Sequence, residues 1–420
     1  MYGLFVAALI YPCRTRGCVP VPTFQHRMGS PEHTMTIKIG KTNQIPAFLA
    51  MQVMQDAQRL EATGHDIMHL EVGQPSTPPP DAVNRALTAA LGRTATHGYS
   101  VALGHPALRQ RISAHYQDWY GITPDWNQIA VTPGSSLGFA ISFLAAFDAG
   151  DHIAIATPGY PAYRNLMAAL GLVPDLIPAR ADQAWMPDLE ALSKSGTLPD
   201  GILLASPANP TGVVIGDDDL ADICAWCARH GVRLIMDEIY HGLTYGGRGT
   251  TALKFNQNAI IINSFSKYFC MTGWRLGWVI LPDDLVDNAE KIAQNLFISA
   301  PTPNQYGALA AFDCYAEFDA HLPRYQDNRD RLLAGLPAEF LGQHAPADGA
   351  FYLYADIGAI SNNAGDFARR MLHEAGVAVT PGIDFDQTEG GRYLRLSYAG
   401  SSRTITTAID RINGWLPTIK

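Results

Sequence analysis

Short apolar runs alternate with helix-like segments along this chain, and that alternation restricts its fold more than any other feature. Strands that are buried on both faces have continuous apolar sequences, whereas half-exposed strands alternate apolar and polar residues. The first group of predicted strands comprises Gln128–Thr132, His152–Ala156, Ile202–Ser206, Arg233–Asp237, Ala259–Ser264 and Leu276–Leu281. The pattern predicts an α/β fold whose sheet is covered by helices on both faces.

A second group of elements follows a predicted helical stretch over Leu285–Phe318. Its predicted strands are Phe351–Ala355, Val377–Thr380 and Tyr393–Ser397, and its predicted helices are Asp366–Glu374 and Thr404–Trp415. This group indicates a second, smaller α+β unit. The length of 420 residues agrees with two domains, because a single core rarely organises so long a chain.

The charge balance excludes one class of partner. The chain has 30 Lys and Arg against 39 Asp and Glu, a formal net charge of −9. Nucleic-acid binding requires clustered positive charge, so we expect no nucleic-acid partner. Charged residues make up only 16% of the chain, which suggests that part of the surface is buried in a homo-oligomer.

Cysteine content and apolar runs bear on location. Six cysteines are too few for a disulfide framework in a chain of this length, so we expect a protein of the reducing cytoplasm.

The longest uncharged stretch, residues 126–147, contains Pro133 and Gly134, which favours strand, turn and helix over a membrane span. Residues 1–34 show no helical or strand period, so we expect a disordered extension or a misassigned start.

Polar side chains follow three of the predicted strands, at the edge where open α/β sheets bind their ligands. Asn209 follows the first of these strands, in a turn of sequence SPANPTG. Asp237 is the last residue of the second strand, Tyr240 follows that strand, and Lys267 follows the third. Arg275 comes eight residues after Lys267. We therefore expect an amide, a carboxylate, a phenol, an amine and a guanidinium to meet at one rim.

These side chains together fit one cofactor. A lysine in an apolar site can have a lowered pKa and can condense with an aldehyde. A carboxylate can keep a ring nitrogen protonated, while an amide and a phenol can bind a ring oxygen. Hydroxyl groups such as Ser264 and Ser266, together with Arg275, can bind a phosphate. The set indicates pyridoxal 5′-phosphate, and no metal is expected.

Residues 35–415 resemble the class I/II aminotransferases, which are fold-type I pyridoxal-phosphate enzymes related to aspartate aminotransferase. The matching motifs are, in order, LEVGQP, HGYSVALGHPALR, VTPGSS, TPGYPAY, SPANPTG, DEIY, SFSK, GWRLG and YLRLS. The resemblance implies a large cofactor domain with a mostly parallel sheet at residues 69–309. It also implies a small, mobile α+β domain formed by residues 35–68 and 310–420, and a homodimer with a shared active site.

The resemblance also implies roles for individual residues. Lys267 would form the internal aldimine and shuttle the proton that converts aldimine to ketimine, so that an amino group moves from an L-amino acid to a 2-oxo acid. Asp237 and Tyr240 would assist it. The implied cofactor contacts are Ser135, Ser136, Tyr160, Asn209, Asp237, Tyr240, Ser264, Ser266, Lys267, Arg275 and Tyr99 of the neighbouring subunit. The implied substrate contacts are Gly73, Asn209 and Arg395.

Two short patterns suggest other chemistry. Gly134–Gly138 fits the nucleophile elbow of serine hydrolases, in which Ser136 would attack, and the downstream histidines available as its base are His321, His344 and His373. Cys224 and Cys227 have the spacing of a redox or zinc pair, but Leu220 and Ile223 share their helical face. We therefore expect these two cysteines to be buried thiols.

Local sequence leaves two questions open. Lyases and decarboxylases of the same fold type use nearly the same residues, because the bond that breaks depends on its alignment with the cofactor ring. A binding protein that kept the fold is a further alternative. The motifs reveal no second arginine for a dicarboxylate, so the amino donor and the 2-oxo acceptor stay open.

Overall fold

A seven-stranded sheet lies at the centre of the computed structural model, which describes residues 38–40, 45–194 and 196–419. The strands are β1 Met68–His69, β2 Ile129–Thr132, β3 His152–Thr157, β4 Val173–Pro178, β5 Gly201–Ala205, β6 Arg233–Asp237, β7 Ile260–Ser264, β8 Gly277–Ile280, β9 Tyr352–Asp356, β10 Val377–Ala378, β11 Thr380–Pro381 and β12 Tyr393–Ser397. The central sheet has the order β2-β8-β7-β6-β5-β3-β4. Strand β8 is antiparallel to both of its neighbours, and the other pairs are parallel. The predicted mostly parallel α/β sheet is confirmed.

Helices cover both faces of this sheet. They are α1 Leu49–Ala62, α2 Asp81–Leu91, α3 Pro106–Tyr120, α4 Ser135–Ala146, α5 Pro161–Leu170, α6 Leu189–Lys194, α7 Asp217–His230, α8 Asp283–Leu296, α9 Thr302–Ala311, α10 Tyr315–Asp319, α11 Leu322–Gly335, α12 Ala338–Leu341, α13 Ala364–Arg370 and α14 Ser402–Trp415. Successive residues of β6 point into different cores: Leu234 and Met236 pack in the core with α7, and Ile235 packs in the core with α4. Burial on both sides explains why these strands lack polar alternation.

A second, three-stranded antiparallel sheet has the order β11-β12-β9. Strand β12 places Arg395 opposite Tyr354 of β9 and Thr380 of β11. A short parallel pair joins β1 to β10. Among the described residues, no helix is both long and apolar enough to cross a bilayer.

The predicted boundaries need three corrections. The helical stretch expected over Leu285–Phe318 is divided into α8, α9 and α10, because the chain turns at Ile298 with a φ of 66° and α9 begins beside Pro301 and Pro303. The strand expected over Val377–Thr380 is two segments, which pair with β1 and β12. Helix α13 continues as a π-helical turn, Met371–Ala375.

Strand β4 was not predicted. Its sequence, VPDLIP, contains two prolines and an aspartate, which are depleted in strands. It lies at the edge of the sheet, where Val173 and Leu176 are 36% and 45% exposed and where proline is tolerated. The predicted extension over residues 1–34 falls outside the described residues.

Candidate active site

The loops after β5, β6 and β7 open into a cavity of about 510 Å³. These three strands are adjacent and parallel, so their carboxyl ends lie side by side. The predicted site residues that line the cavity are Gly73, Ser135, Ser136, Tyr160, Asn209, Asp237, Tyr240, Ser266, Lys267, Arg275 and Arg395. The cavity has the size of a pocket for a small molecule. The structure thus brings together residues that are more than 300 positions apart in sequence.

Lys267 is the central cation of the cavity. Its Nζ donates a hydrogen bond to the backbone oxygen of Gly73 at 2.6 Å. Burial and, to a smaller extent, the positive charge of Arg395 lower the pKa of this amine to about 8, although Asp237 opposes both effects. A substantial fraction of the amine is therefore neutral near pH 8, which makes it available as a nucleophile and a base.

Asp237 is held at the end of β6 by two donors. One carboxylate oxygen accepts a hydrogen bond from the Tyr163 hydroxyl, and the other accepts one from the backbone N–H of Ile239 at 3.1 Å. Burial raises the pKa of Asp237 to about 6, although both hydrogen bonds and Lys267 favour the charged form. The carboxylate is therefore charged at neutral pH although Asp237 is only 4% exposed.

The guanidinium of Arg395 is oriented from three directions. It donates to the side-chain oxygen of Asn209 at 3.0 Å, to Thr380 Oγ1 at 3.2 Å and to the backbone oxygen of Glu71. Arg395 is only 2% exposed. Since these bonds use three of the five N–H donors of an arginine, the side chain is fixed while donors remain for a ligand.

An anion site is formed where α4 begins. Gly134 precedes Ser135 with a φ of 79°, a conformation that favours glycine. A Cβ at Gly134 would lie 2.3 Å from a terminal nitrogen of Arg275, so the guanidinium rests directly against this turn. Free N–H groups and the dipole at a helix N-terminus attract anions, and Arg275 adds a full positive charge.

Two predicted cofactor contacts lie outside the cavity lining. Ser264 is buried; its hydroxyl donates to Leu276 O at 2.9 Å, accepts from Ser266 N–H at 3.0 Å and lies 2.8 Å from Ser266 Oγ. It therefore shapes the loop that carries Lys267. Tyr99 is 81% exposed. Phosphate contacts by these two residues remain predictions.

The two other patterns are accounted for differently. Ser136 is exposed in the first turn of α4, and none of the described histidines lines the cavity around it. The hydrolase interpretation therefore lacks a base at its nucleophile. Cys224 and Cys227 are buried in α7, and burial raises their thiol pKa values to about 11 and about 12. The expectation of buried thiols is confirmed.

Sequence reasoning missed several cavity residues. Tyr163 holds Asp237, and Tyr352 hydrogen-bonds Tyr240. The remaining apolar wall consists of Phe48, Ala50, Met51, Met54, Val72, Phe139 and Ile239. Spacing could have identified Tyr163, which lies one helical turn after Tyr160 in TPGYPAY. The apolar wall could not be identified in this way, because apolar residues spaced three apart in a helix are typical of the hydrophobic core.

Comparison with known proteins identifies the family. Residues 65–412 match the family model described as aminotransferase class I and II. The chain is 43% identical to valine–pyruvate aminotransferase of Mycobacterium tuberculosis, over 91% of this chain and 100% of that protein. It is 36% identical to (5-formylfuran-3-yl)methyl phosphate transaminase of Methanocaldococcus jannaschii, over 88% of this chain and 97% of that protein.

Solved structures agree with this assignment. An aminotransferase from M. tuberculosis superposes with a TM-score of 0.88 at 43% identity, covering 91% of this chain and 100% of that one. Aspartate aminotransferase from Thermus thermophilus with maleate superposes with a TM-score of 0.84 at 28% identity, covering 90% and 99%. The chain therefore belongs to the class I and II aminotransferases and is a transaminase of fold type I.

Proposed function

We propose that this transaminase binds pyridoxal 5′-phosphate at Lys267 and transfers the amino group of an apolar L-amino acid to a 2-oxo acid. One observation carries the proposal: a lysine amine with a lowered pKa and a buried carboxylate share a cavity with an anion site. When bound, the cofactor supplies an aldehyde that condenses with amines and a cationic ring that accepts electrons.

The donor set of the cavity fits this cofactor. The start of α4 and Arg275 would hold the phosphate, with Ser266 beside them. Asp237 would hold a protonated ring nitrogen, since its charge is stabilised by Tyr163 and Ile239. Two further contacts complete the set: the Asn209 amide and the Tyr240 hydroxyl would bind the ring oxygen, and Tyr160 would stack on the ring.

Lys267 would also move the proton. With cofactor and substrate bound, its neutral Nζ would accept the α-proton of the substrate and hold it for return. The backbone oxygen of Gly73, 2.6 Å from Nζ, supports this role because it gives the free amine a fixed partner. Asp237 would stabilise the positive charge of the ring while electrons move into it.

Arg395 would bind the α-carboxylate of every substrate. Replacing Arg395 with lysine keeps the charge but removes the planar, bidentate donor. We expect KM for amino acids to rise roughly 10- to 100-fold, with a smaller change in kcat. Steady-state kinetics measure this, with Arg392→Lys as the control because Arg392 is paired to Asp356 outside the cavity. An unchanged KM in Arg395→Lys would reject the role.

The wall of the cavity supports apolar donors. Phe48, Met51 and Met54 enter it from the start of α1, and the cations that line it in the described chain are Lys267, Arg275 and Arg395. Each of these cations already has a proposed partner, so the second carboxylate of a dicarboxylate would be buried without one. The relative named for valine and pyruvate points the same way.

A panel of amino donors tests the function. We expect kcat/KM for valine, leucine or alanine to exceed that for aspartate by about 10² or more, with pyruvate as the acceptor. Product identification by mass spectrometry distinguishes transamination from decarboxylation or elimination. A clear preference for aspartate would contradict the substrate class, and a decarboxylated product would contradict the reaction.

We further propose a homodimer in which Tyr99 reaches the phosphate site of the other subunit, residues 69–309 form the cofactor domain, and residues 35–68 with 310–420 form the small domain. The large exposed fractions of Tyr99 and Val101, 81% and 55%, support an interface at this loop. Sedimentation of the native protein measures the oligomeric state.

A further inference from the structure

Tyr352 lies between two proposed functional residues, and no role has been assigned to it. It begins β9, is 1% exposed and lines the cavity. Its hydroxyl oxygen is 2.7 Å from that of Tyr240. On its other side, the guanidinium carbon of Arg395 is 4.5 Å from the centre of the Tyr352 ring. One side chain therefore contacts the ring-oxygen site and the carboxylate site.

The position of Tyr352 is closely constrained. A Cβ at Gly73 would lie 1.7 Å from the Tyr352 hydroxyl oxygen, so this phenol fills the space that glycine leaves. Tyr352 is paired with Ser397 across the small sheet, and the ring of Phe351 packs at its edge with the centroids 5.2 Å apart. The absence of a side chain at Gly73 thus leaves space for the Tyr352 hydroxyl as well as for a substrate.

The number of available protons determines which hydroxyl donates in the hydrogen bond between Tyr352 and Tyr240 once the cofactor is bound. Each phenol has one proton, and in the structure either hydroxyl can be the donor. If Tyr240 donates to the ring oxygen of the cofactor, it has no proton left for Tyr352. Tyr352 must then donate to Tyr240. Hydrogen bonds in series polarise one another, so this second donor makes Tyr240 a stronger donor.

The ring of Tyr352 has a separate effect on Arg395. The guanidinium lies between two aromatic rings, 4.5 Å from the centroid of Tyr352 and 4.7 Å from that of Phe385. Stacking on aromatic faces stabilises the cation and keeps its plane fixed. This contact needs the ring but not the hydroxyl, so the two effects can be separated by substitution.

We infer that Tyr352 is a positioning residue with two functions: its hydroxyl directs Tyr240 toward the cofactor oxygen, and its ring fixes Arg395 for the substrate carboxylate. The first function depends on the proposed cofactor. The ionisable and charged groups around Tyr352 are Tyr240, Arg395, Tyr160, Tyr163, Asp237 and Lys267.

The test compares Tyr352→Phe, which removes only the hydroxyl, with Tyr352→Leu, which also removes the ring. Tyr354→Phe is the matched control, since Tyr354 is on the same strand, is equally buried and has an unpartnered hydroxyl. The readouts are KM for the amino donor and the pH midpoint of the visible absorbance of the holoenzyme. A hydrogen bond from Tyr240 would reduce the negative charge on the ring oxygen of the cofactor, and that charge favours the proton on Lys267 Nζ. Weaker donation by Tyr240 would therefore leave more charge on the oxygen and raise the pH midpoint of the absorbance.

We expect Tyr352→Phe to raise the absorbance midpoint by about 0.3 to 1 pH unit with KM nearly unchanged. Tyr352→Leu should also raise KM roughly 3- to 30-fold. In a Tyr240→Phe background, the additional shift from Tyr352→Phe should disappear. Replacing Tyr352 with 3-fluorotyrosine, a stronger donor, should lower the midpoint.

Three results would overturn this inference: a midpoint in Tyr352→Phe equal to that of wild type, the same shift in Tyr354→Phe, or additive shifts in the double variant. An unchanged KM in Tyr352→Leu would remove the second function. Failure of the proposed function is distinguishable, because wild-type protein incubated with pyridoxal 5′-phosphate and then freed of unbound cofactor by gel filtration would show no visible band to titrate.

Discussion

Replacing Lys267 with alanine should lower kcat by more than about 10⁴, because in the proposed mechanism one side chain supplies both the covalent attachment and the proton transfer. A positioned base alone contributes roughly 10² to 10⁴ in rate. We expect this loss even with excess pyridoxal 5′-phosphate in the assay. The Lys254→Ala variant is the control, since Lys254 is exposed and lies outside the cavity.

Survival of activity in Lys267→Ala would contradict this assignment. So would a visible band that persists in the variant as a protein adduct reducible by borohydride, because another lysine would then hold the cofactor. Added small amines such as methylamine should restore part of the rate, since they can replace the missing base. Lack of recovery would leave the covalent role intact and argue against proton transfer.

Replacing Asp237 with asparagine should lower kcat roughly 10²- to 10³-fold while the cofactor still binds. Asparagine has nearly the shape of aspartate and can still accept a hydrogen bond from Tyr163, but it cannot stabilise a cationic ring. Because burial already raises the pKa of this carboxyl to about 6, the site holds a negative charge at a measurable cost. Such a cost is typical of functional groups.

Kinetics and absorbance together measure the effect of Asp237→Asn. The expected pattern is a low kcat with near-normal cofactor absorbance, and Asp237→Glu should recover part of the rate because it restores the charge. Equal activity of Asp237→Asn and wild type would show that the ring does not need this carboxylate. Loss of cofactor binding in both variants would indicate a structural role instead.

The central strands could be predicted because burial on both faces leaves continuous apolar runs in the sequence. Strand β6, Arg233–Asp237, agrees with its predicted bounds, and the other central strands except β4 differ by at most one residue at either end. The edge strand β4 was missed since its prolines and aspartate fit only an exposed edge. Helix ends between α8 and α10 depend on local turns, which periodicity does not define.

The candidate site divides in the same way. Asp237 ends strand β6, and Lys267 and Asn209 lie in the loops that follow β7 and β5, so their positions follow from the topology of the sheet. Tyr352 is distant from Tyr240 in sequence, and their contact depends on how the small sheet packs against the large one. The contribution of helix α1 to the cavity could not be predicted either, because apolar residues such as Met51 and Met54 occur equally in pocket linings and in hydrophobic cores.

One measurement tests the central claim most directly: peptide mapping of the wild-type protein after incubation with pyridoxal 5′-phosphate and reduction with borohydride. The account predicts one major adduct, on the peptide that contains Lys267, and loss of that adduct when an amino acid substrate is added before reduction. An unmodified Lys267 in active protein, or a major adduct on a different lysine, would contradict it.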